Sequence, residues 1–257
     1  MGPAWLIPEW PAHPAVRALS TLRTGGASEG AYASLNLGSH VGDAPAAVAE
    51  NRRRLRGAAQ LPSEPAWLNQ VHGAGVVDLD AANPSSEIPE ADAAFTRRRG
   101  RVCAILTADC LPVLLAADSG EAVAAAHAGW RGLAGGVIES TVRALALDPG
   151  SLLAWLGPAI GPRHFEVGGE VRDALLREDP EALSCFAPNA RGRFLADLPA
   201  LARRRLTRLG VRRIHGGGEC TFAHPDRYFS HRRDGMTGRQ ATLLWLENGG
   251  GRDAPGR

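Results

Sequence analysis

Cysteine is scarce and scattered. The chain has 257 residues but four cysteines, Cys103, Cys110, Cys185 and Cys220, with no CxxC pair among them. Such a set cannot staple a chain of this size, so reduced thiols in the cytoplasm are the expected state. No apolar run approaches the length of a membrane span; the longest are strand-length. The opening MGPAWLIPEWPAHPAV has neither the charged start nor the continuous apolar stretch of a secretory signal. Leu6 stands where an N-myristoylation motif wants Ser or Thr. An excess of one charge is missing too: 29 Lys and Arg face 27 Asp and Glu, for a formal net charge of +2. Neither a nucleic acid nor a membrane is therefore an expected partner. Runs such as Arg52-Arg53-Arg54 and Arg203-Arg204-Arg205 fall in helical patterns and read as solvated helix faces. The GxxxxGK[ST] of a nucleotide P-loop and the GxGxxG of a dinucleotide fold are both absent, as is any internal repeat.

What is present is ordinary globular material, 44% hydrophobic and 22% charged, long enough to bury a substantial core. We expect a single domain over residues 1–257, with surface loops at 62–65 and 83–90 and a frayed tail at 251–257. Asp43 followed by Ala44-Pro45 predicts a capped helix running to about Ala59. Val48, Asn51, Leu55 and Ala59 share one face of it, which turns Asn51 towards the core or a pocket. Short strands are expected at 67–71, 75–79, 102–106 and 211–215, and helices at 131–147 and 167–178. Asp197 caps a further helix that ends before Gly210. Hairpins and irregular alternation point to an α+β fold with mixed sheets.

The clearest hairpin joins CLPVLLAA to EAVAAAH through Asp118-Ser119-Gly120. A turn centred near Ser119 sets Cys110 opposite 127 or 128, and so beside His127. A thiol and an imidazole so placed are two ligands of a soft metal or a nucleophile and its base. His72, in LNQVHG, ends a similar apolar segment, although a lone histidine is usually a satisfied structural residue. Asp109 either orients a histidine or caps a turn. Gly129 and Gly132 permit a tight bend around Trp130-Arg131, where Arg131 binds phosphate or anchors the loop. Further on, HGGGECT offers an anion-cradling turn, and Ser230, His231, Arg232 and Arg233 offer contacts for an anionic or sugar-bearing substrate or structural ion pairs.

Several of these motifs occur in an ordered series: RTGGASEGAYASLNLGSHVGD at 23–43, NRRRL at 51–55, NQVHG at 69–73, LTADCLPVLL at 106–115, HAGWRG at 127–132 and GPAIGPRHFEVG at 157–168, then GECT and FSHRRDGMTGRQA. The series resembles the YfiH/laccase-domain family, once labelled multicopper polyphenol oxidase and now regarded as a purine nucleoside phosphorylase family. The resemblance implies a four-layer α/β/β/α sandwich and a zinc ion on His72, Cys110 and His127. Two imidazoles and one thiolate suit Zn2+ and leave a fourth position open, as catalytic zinc sites do. It also implies phosphorolysis of adenosine, inosine and methylthioadenosine, with deamination of adenosine to inosine. Purine nucleoside and inorganic phosphate are then the partners; a monomer is expected separately, because no amphipathic stripe is too long for a single domain to bury. The substrate and phosphate contacts fall on Arg23, Asn36, Arg52, Arg131 and Arg232, and Asp109 is the candidate proton shuttle. The HxE…PCxxC arrangement of the usual zinc deaminases is absent. The chain departs from the family at Gly161-Pro162-Arg163, where many members carry a cysteine. Two alternatives remain. A copper-dependent polyphenol oxidase fits the older label, and Cu2+ would occupy the same ligands in vitro; eight histidines without an HxH pair argue against a full multicopper site. A metal-free cysteine hydrolase would use Cys110 and His127 but not His72.

Overall fold

Apolar, small-residue strands in the middle of the chain build the central sheet of the computed structural model, which describes residues 2–81 and 88–247. β6 (Leu111–Ala117) and β7 (Val123–Ala128) are buried along their whole length, as strands covered on both faces must be. They pair antiparallel and are flanked by β8 (Leu152–Leu156) and β12 (Arg213–Gly216) on one side and β4 (Ala93–Thr96) and β3 (Val76–Asp78) on the other. The six-stranded order is β12-β8-β6-β7-β4-β3, with the two outer pairs parallel and the inner ones antiparallel. A second sheet is antiparallel: β1 (Trp5–Leu6), β2 (Val16–Thr21), β13 (Gln240–Leu246) and β5 (Val102–Thr107) in the order β1-β2-β13-β5. A small antiparallel sheet of β9 (Glu166–Val167), β10 (Phe186–Pro188) and β11 (Phe194–Ala196) lies apart from both.

Three apolar clusters show how the layers stack. Ile105, Leu244 and Leu246 of the four-stranded sheet pack on Leu114, Val123 and Ala125 of the six-stranded one. On the opposite face of the larger sheet, Val113, Leu115 and Ala124 lie under α3 (Val137–Leu145) and α5 (Leu198–Arg208). The outer face of the smaller sheet, with Leu19, Ala104 and Leu243, is covered by Leu55 of α1 (Pro45–Ala58) and by Leu35 and Leu37. The result is the α/β/β/α order of an α+β fold. Three shorter helices complete it: α2 (Trp130–Ala134), α4 (Gly169–Leu176) and α6 (His231–Asp234). No helix among the described residues is long and apolar enough to cross a membrane.

Several local expectations are corrected. The hairpin pairs Leu111 with Ala128 and Pro112 with His127, so Cys110 comes level with Gly129 rather than with 127 or 128. The cause is a turn one residue longer, closed by Ala117 N donating to Ala122 O. Asp43 does not cap α1; Ala44 holds the cap position, and Asp43 Oδ2 accepts from Ser28 Oγ at 2.6 Å and Asn36 Nδ2 at 2.9 Å. Residues 67–71 form no strand. Gly135-Gly136 splits the expected 131–147 helix, with Gly136 at φ +87°. Asn51 does face inward, fully buried, accepting from Ala27 N and donating to the carbonyls of Ser34 and Asn36. Asp197 caps α5 through Ala200 N. The expected 83–90 loop lies partly, and the 251–257 tail wholly, outside the described residues.

Candidate metal centre

His127 is the penultimate residue of β7, Cys110 precedes β6, and His72 lies in the turn ahead of β3. The strand ends thus bring all three together at one end of the sheet. Their ligand atoms lie within 4.8 Å of one another. Cys110 Sγ is 3.9 Å from His72 Nε2, and the two imidazole rings stand 4.8 Å apart at 67°. An ion with bonds of about 2.0–2.3 Å in tetrahedral geometry spaces its ligand atoms by roughly 3.5 Å. The three side chains therefore need only a short closure to hold one, and their donor set of two nitrogens and one sulfur fits a borderline-soft metal.

Asp92, immediately before β4 and fully buried, organises two of these groups at once. Its Oδ1 lies 2.8 Å from His127 Nδ1, which leaves Nε2 as the nitrogen available to a ligand. The same carboxylate accepts from the backbone N–H groups of Val71, His72 and Gly73 at 3.2, 2.9 and 2.6 Å. That clamp holds His72 at φ +63°, a left-handed conformation that a non-glycine residue adopts only under constraint. Gly129 supplies the remaining space: a Cβ there would come within 2.7 Å of Cys110 Sγ and 3.2 Å of His72 Cδ2.

The electrostatics follow from the same contacts. Burial pushes the Cys110 thiol up, but the His127 and His72 imidazoles more than offset it and bring it down to about 6. Burial pulls His127 down, while the Cys110 thiolate and Asp92 raise it to about 9. Burial also works against the Asp92 carboxylate, yet His127 and the Gly73 and His72 N–H groups hold it below the usual range. The site thus favours a thiolate beside a cationic imidazole, a charge state in which a metal would replace the imidazole proton.

A cavity of about 320 Å³ opens onto the three residues. Arg131 lines it, with its guanidinium 4.4 Å from the Trp130 ring centroid. Of the other expected substrate contacts, His231 also lines it, whereas Arg23, Asn36, Arg52 and Arg232 are placed elsewhere. Arg23 donates to Ala33 O and Pro225 O, and Arg52 spends Nε and Nη2 on Leu37 O while stacking 4.1 Å over Trp67. Arg232 donates to Glu166 O. Asn36 is fully buried and bonded to Gly38, Asp43 and Arg239. These four do not line the cavity; each neutralises chain carbonyls or fixes a loop.

Asp109 is likewise a correction to the histidine-orienting reading. Its Oδ1 accepts from Thr221 Oγ1 at 2.6 Å and its Oδ2 from Arg232 N at 2.7 Å, which ties it to the start of α6. Asp92 fills the role instead, and its only signal in the sequence is an acid entering an apolar strand in EADAAF. Arg239 and His40 also line the cavity unforeseen, although both sit inside motifs already singled out. The triple glycine of HGGGECT lies on a separate cavity beside Trp155 and Leu6. Gly161, at the departure from the family pattern, donates its N–H to Cys220 Sγ at 3.2 Å.

Comparison with known proteins shows the family and the fold. The model of a family described as multi-copper polyphenol oxidoreductase laccase matches residues 17–247. A Pseudomonas aeruginosa protein named purine nucleoside phosphorylase is 54% identical over 246 residues, covering 95% of this chain and 99% of its own. The Escherichia coli purine nucleoside phosphorylase YfiH is 51% identical, over 94% of this chain and 98% of its own. Among solved structures, a Neisseria meningitidis protein superposes with a TM-score of 0.91 at 50% identity, covering 95% of this chain and 99% of that one. YlmD from Geobacillus stearothermophilus superposes with a TM-score of 0.89 at 33% identity, over 95% and 96%.

Proposed function

Since the chain belongs to the family described as multi-copper polyphenol oxidoreductase laccase, we propose that it is a zinc-dependent purine nucleoside phosphorylase with an accompanying adenosine deaminase activity. The observation that carries this reading is the open His72–Cys110–His127 set at the floor of a substrate-sized cavity. The relatives named purine nucleoside phosphorylase support its assignment to nucleosides. Adenosine, inosine and methylthioadenosine are the proposed substrates, with inorganic phosphate as co-substrate in the cytoplasm.

In phosphorolysis a phosphate oxygen bonds to C1′ of the ribose while the C1′–N bond to the purine breaks. The electron pair leaves with the base, which takes up a proton, and ribose 1-phosphate remains. Zinc, when bound, supplies Lewis acidity that polarises a substrate atom or a water. His72, Cys110 and His127 would hold it, and Asp92 sets the ring nitrogen and the turn that present two of them. Fixing these groups beforehand leaves little reorganisation for the reaction itself. Metal-replete protein incubated with adenosine, with and without phosphate, tests the reading: adenine and ribose 1-phosphate are expected only with phosphate, and inosine without it. No purine product under either condition refutes it.

One observation favours a second reading. Cys110, His127 and Asp92 stand in the order nucleophile, base and orienting acid, which is the arrangement of a metal-free cysteine hydrolase. His72→Ala separates the two, because a zinc enzyme loses metal and turnover together and a hydrolase keeps its acylation chemistry. A multicopper oxidase is disfavoured, since only one group of metal-ligating side chains occurs among the described residues.

A further inference from the structure

The cavity above the metal-ligating side chains carries an unusual charge balance. Arg131 and Arg239 line it, and no Asp or Glu does. Among the described residues neither guanidinium has a carboxylate within ion-pairing distance, whereas Arg204, Arg205, Arg213, Arg227 and Arg233 all do. The two nearby acids are already committed: Asp92 to His127 and three N–H groups, Asp109 to Thr221 and α6. A cationic basin beside a metal site, without protein counter-charge, suits an oxyanion.

Arg239 is built for that task in a way the other arginines are not. Its backbone is fixed on both sides, its N–H donating to Asn36 Oδ1 at 2.9 Å and its carbonyl accepting from Leu37 N at 3.1 Å. Its Nη1 donates to the carbonyls of Thr237 and Gly238 at 3.0 Å each. Nε and Nη2 make no hydrogen bond among the described residues, so one edge of a planar fork is oriented but unspent. Burial opposes its charge, with Cys110 and Asp109 as the groups that favour it. A desolvated guanidinium of this kind gains most from a bidentate oxyanion. Arg23, Arg52 and Arg232 instead spend their donors on chain carbonyls.

We propose that Arg239, assisted by Arg131, binds the inorganic phosphate that attacks the nucleoside, and that Asn36 acts only by positioning Arg239. This rests on the phosphorylase reading above. The shared ligand chemistry is a phosphoryl oxyanion, so the experiment includes both of its sources.

Zinc-loaded wild type, Arg239→Gln, Arg239→Lys and Arg232→Gln are titrated calorimetrically with inorganic phosphate and, separately, with adenosine 5′-monophosphate. The KM values for phosphate and for inosine are measured in parallel. Arg239→Gln is expected to weaken phosphate binding and raise the phosphate KM by about tenfold or more, with the inosine KM shifted by less than roughly threefold. Arg239→Lys is expected to fall between, since it keeps the charge without the fork. Zinc content and thermal unfolding check that the loop survives, and the lysine variant decides the matter if the glutamine variant does not fold. Wild-type phosphate affinity in the folded Arg239 variants overturns the inference, as does a larger loss in Arg232→Gln. Binding of the nucleotide but not of inorganic phosphate overturns it as well. A wild type that binds phosphate through Arg239 but releases no purine would sink the phosphorylase reading alone.

Discussion

Asp92 decides which nitrogen of His127 a metal meets, because its carboxylate lies 2.8 Å from Nδ1. Asp92→Asn keeps the shape and can still accept from the 71–73 backbone, but its amide cannot serve a protonated Nδ1 and those N–H groups with the same two acceptor oxygens. We predict a loss of zinc affinity of about 10–100-fold, read by competition with a chromophoric chelator, and unchanged affinity would refute the positioning role. Cys110→Ala is predicted to remove zinc and turnover together while the protein stays folded. Cys103→Ala should retain both, because Cys103 is fully buried inside β5 and burial pushes its thiol far above the usual range; its cost is about 1 kcal/mol of packing. Metal content, turnover and thermal unfolding on the two variants check this, and equal losses would contradict it. Cys110 and His127 were legible because one hairpin carries both, whereas His72 was legible only by resemblance. Asp92 and Arg239 were not, since no spacing tells which acid ends beneath a histidine or which guanidinium meets a cavity instead of a carbonyl.

The elements near the site show how local pattern and tertiary context part company. Residues 67–71 read as a short strand, but Gln70 takes over the ladder with its side chain. Its Nε2 donates to Leu106 O at 2.9 Å and its Oε1 accepts from Leu106 N at 2.8 Å, so an amide side chain replaces a backbone pair at the edge of β5. The α2–α3 break likewise looks continuous by apolar period until Gly136 adopts a positive φ. At the β7–α2 junction, Gly129→Ala is predicted to cut zinc occupancy sharply with little change in fold, because the new methyl lands on Cys110 Sγ. Full zinc occupancy in that variant would show that the ligands have room to retreat. Farther away, Asp179 joins the 180–185 turn to α5 through two hydrogen bonds from Arg204, at 2.8 and 2.9 Å. Those bonds hold its carboxyl below the ordinary value. A depressed carboxylate stabilises the fold above its unfolded pKa and loses that contribution as pH falls through the folded one. Asp179→Asn should therefore cost about 2 kcal/mol at pH 7 and converge with wild type in strong acid. A deficit that persists undiminished there would mean the bonds do not act through charge.

At the scale of the whole molecule, the α+β class follows from the mixture of hairpins and helices, but the sheet order does not. β13 lies between β2 and β5, and Trp245 pairs with Val102 across most of the chain. Such pairings are set by which apolar faces fit once all layers are present, and no local turn announces them. The same layering separates stability from the site. Three buried apolar clusters hold the two sheets and their helices together, and the three candidate metal ligands sit at the ends of strands whose remaining residues are packed. A chain of 257 residues with such a core has no need of a metal to fold, unlike a zinc finger. Chelation is therefore predicted to abolish purine release while the far-ultraviolet circular dichroism stays unchanged. The ligands that remain can hold a thiolate beside an imidazolium, which limits repulsion at the emptied site. Re-adding zinc to about a hundred times its Kd should restore turnover and contribute about 2.7 kcal/mol to stability. For a chain of this size that corresponds to a rise in Tm of about 5–10 °C. Loss of the dichroism spectrum on chelation would place the metal inside the folding energy and overturn this separation of core from site.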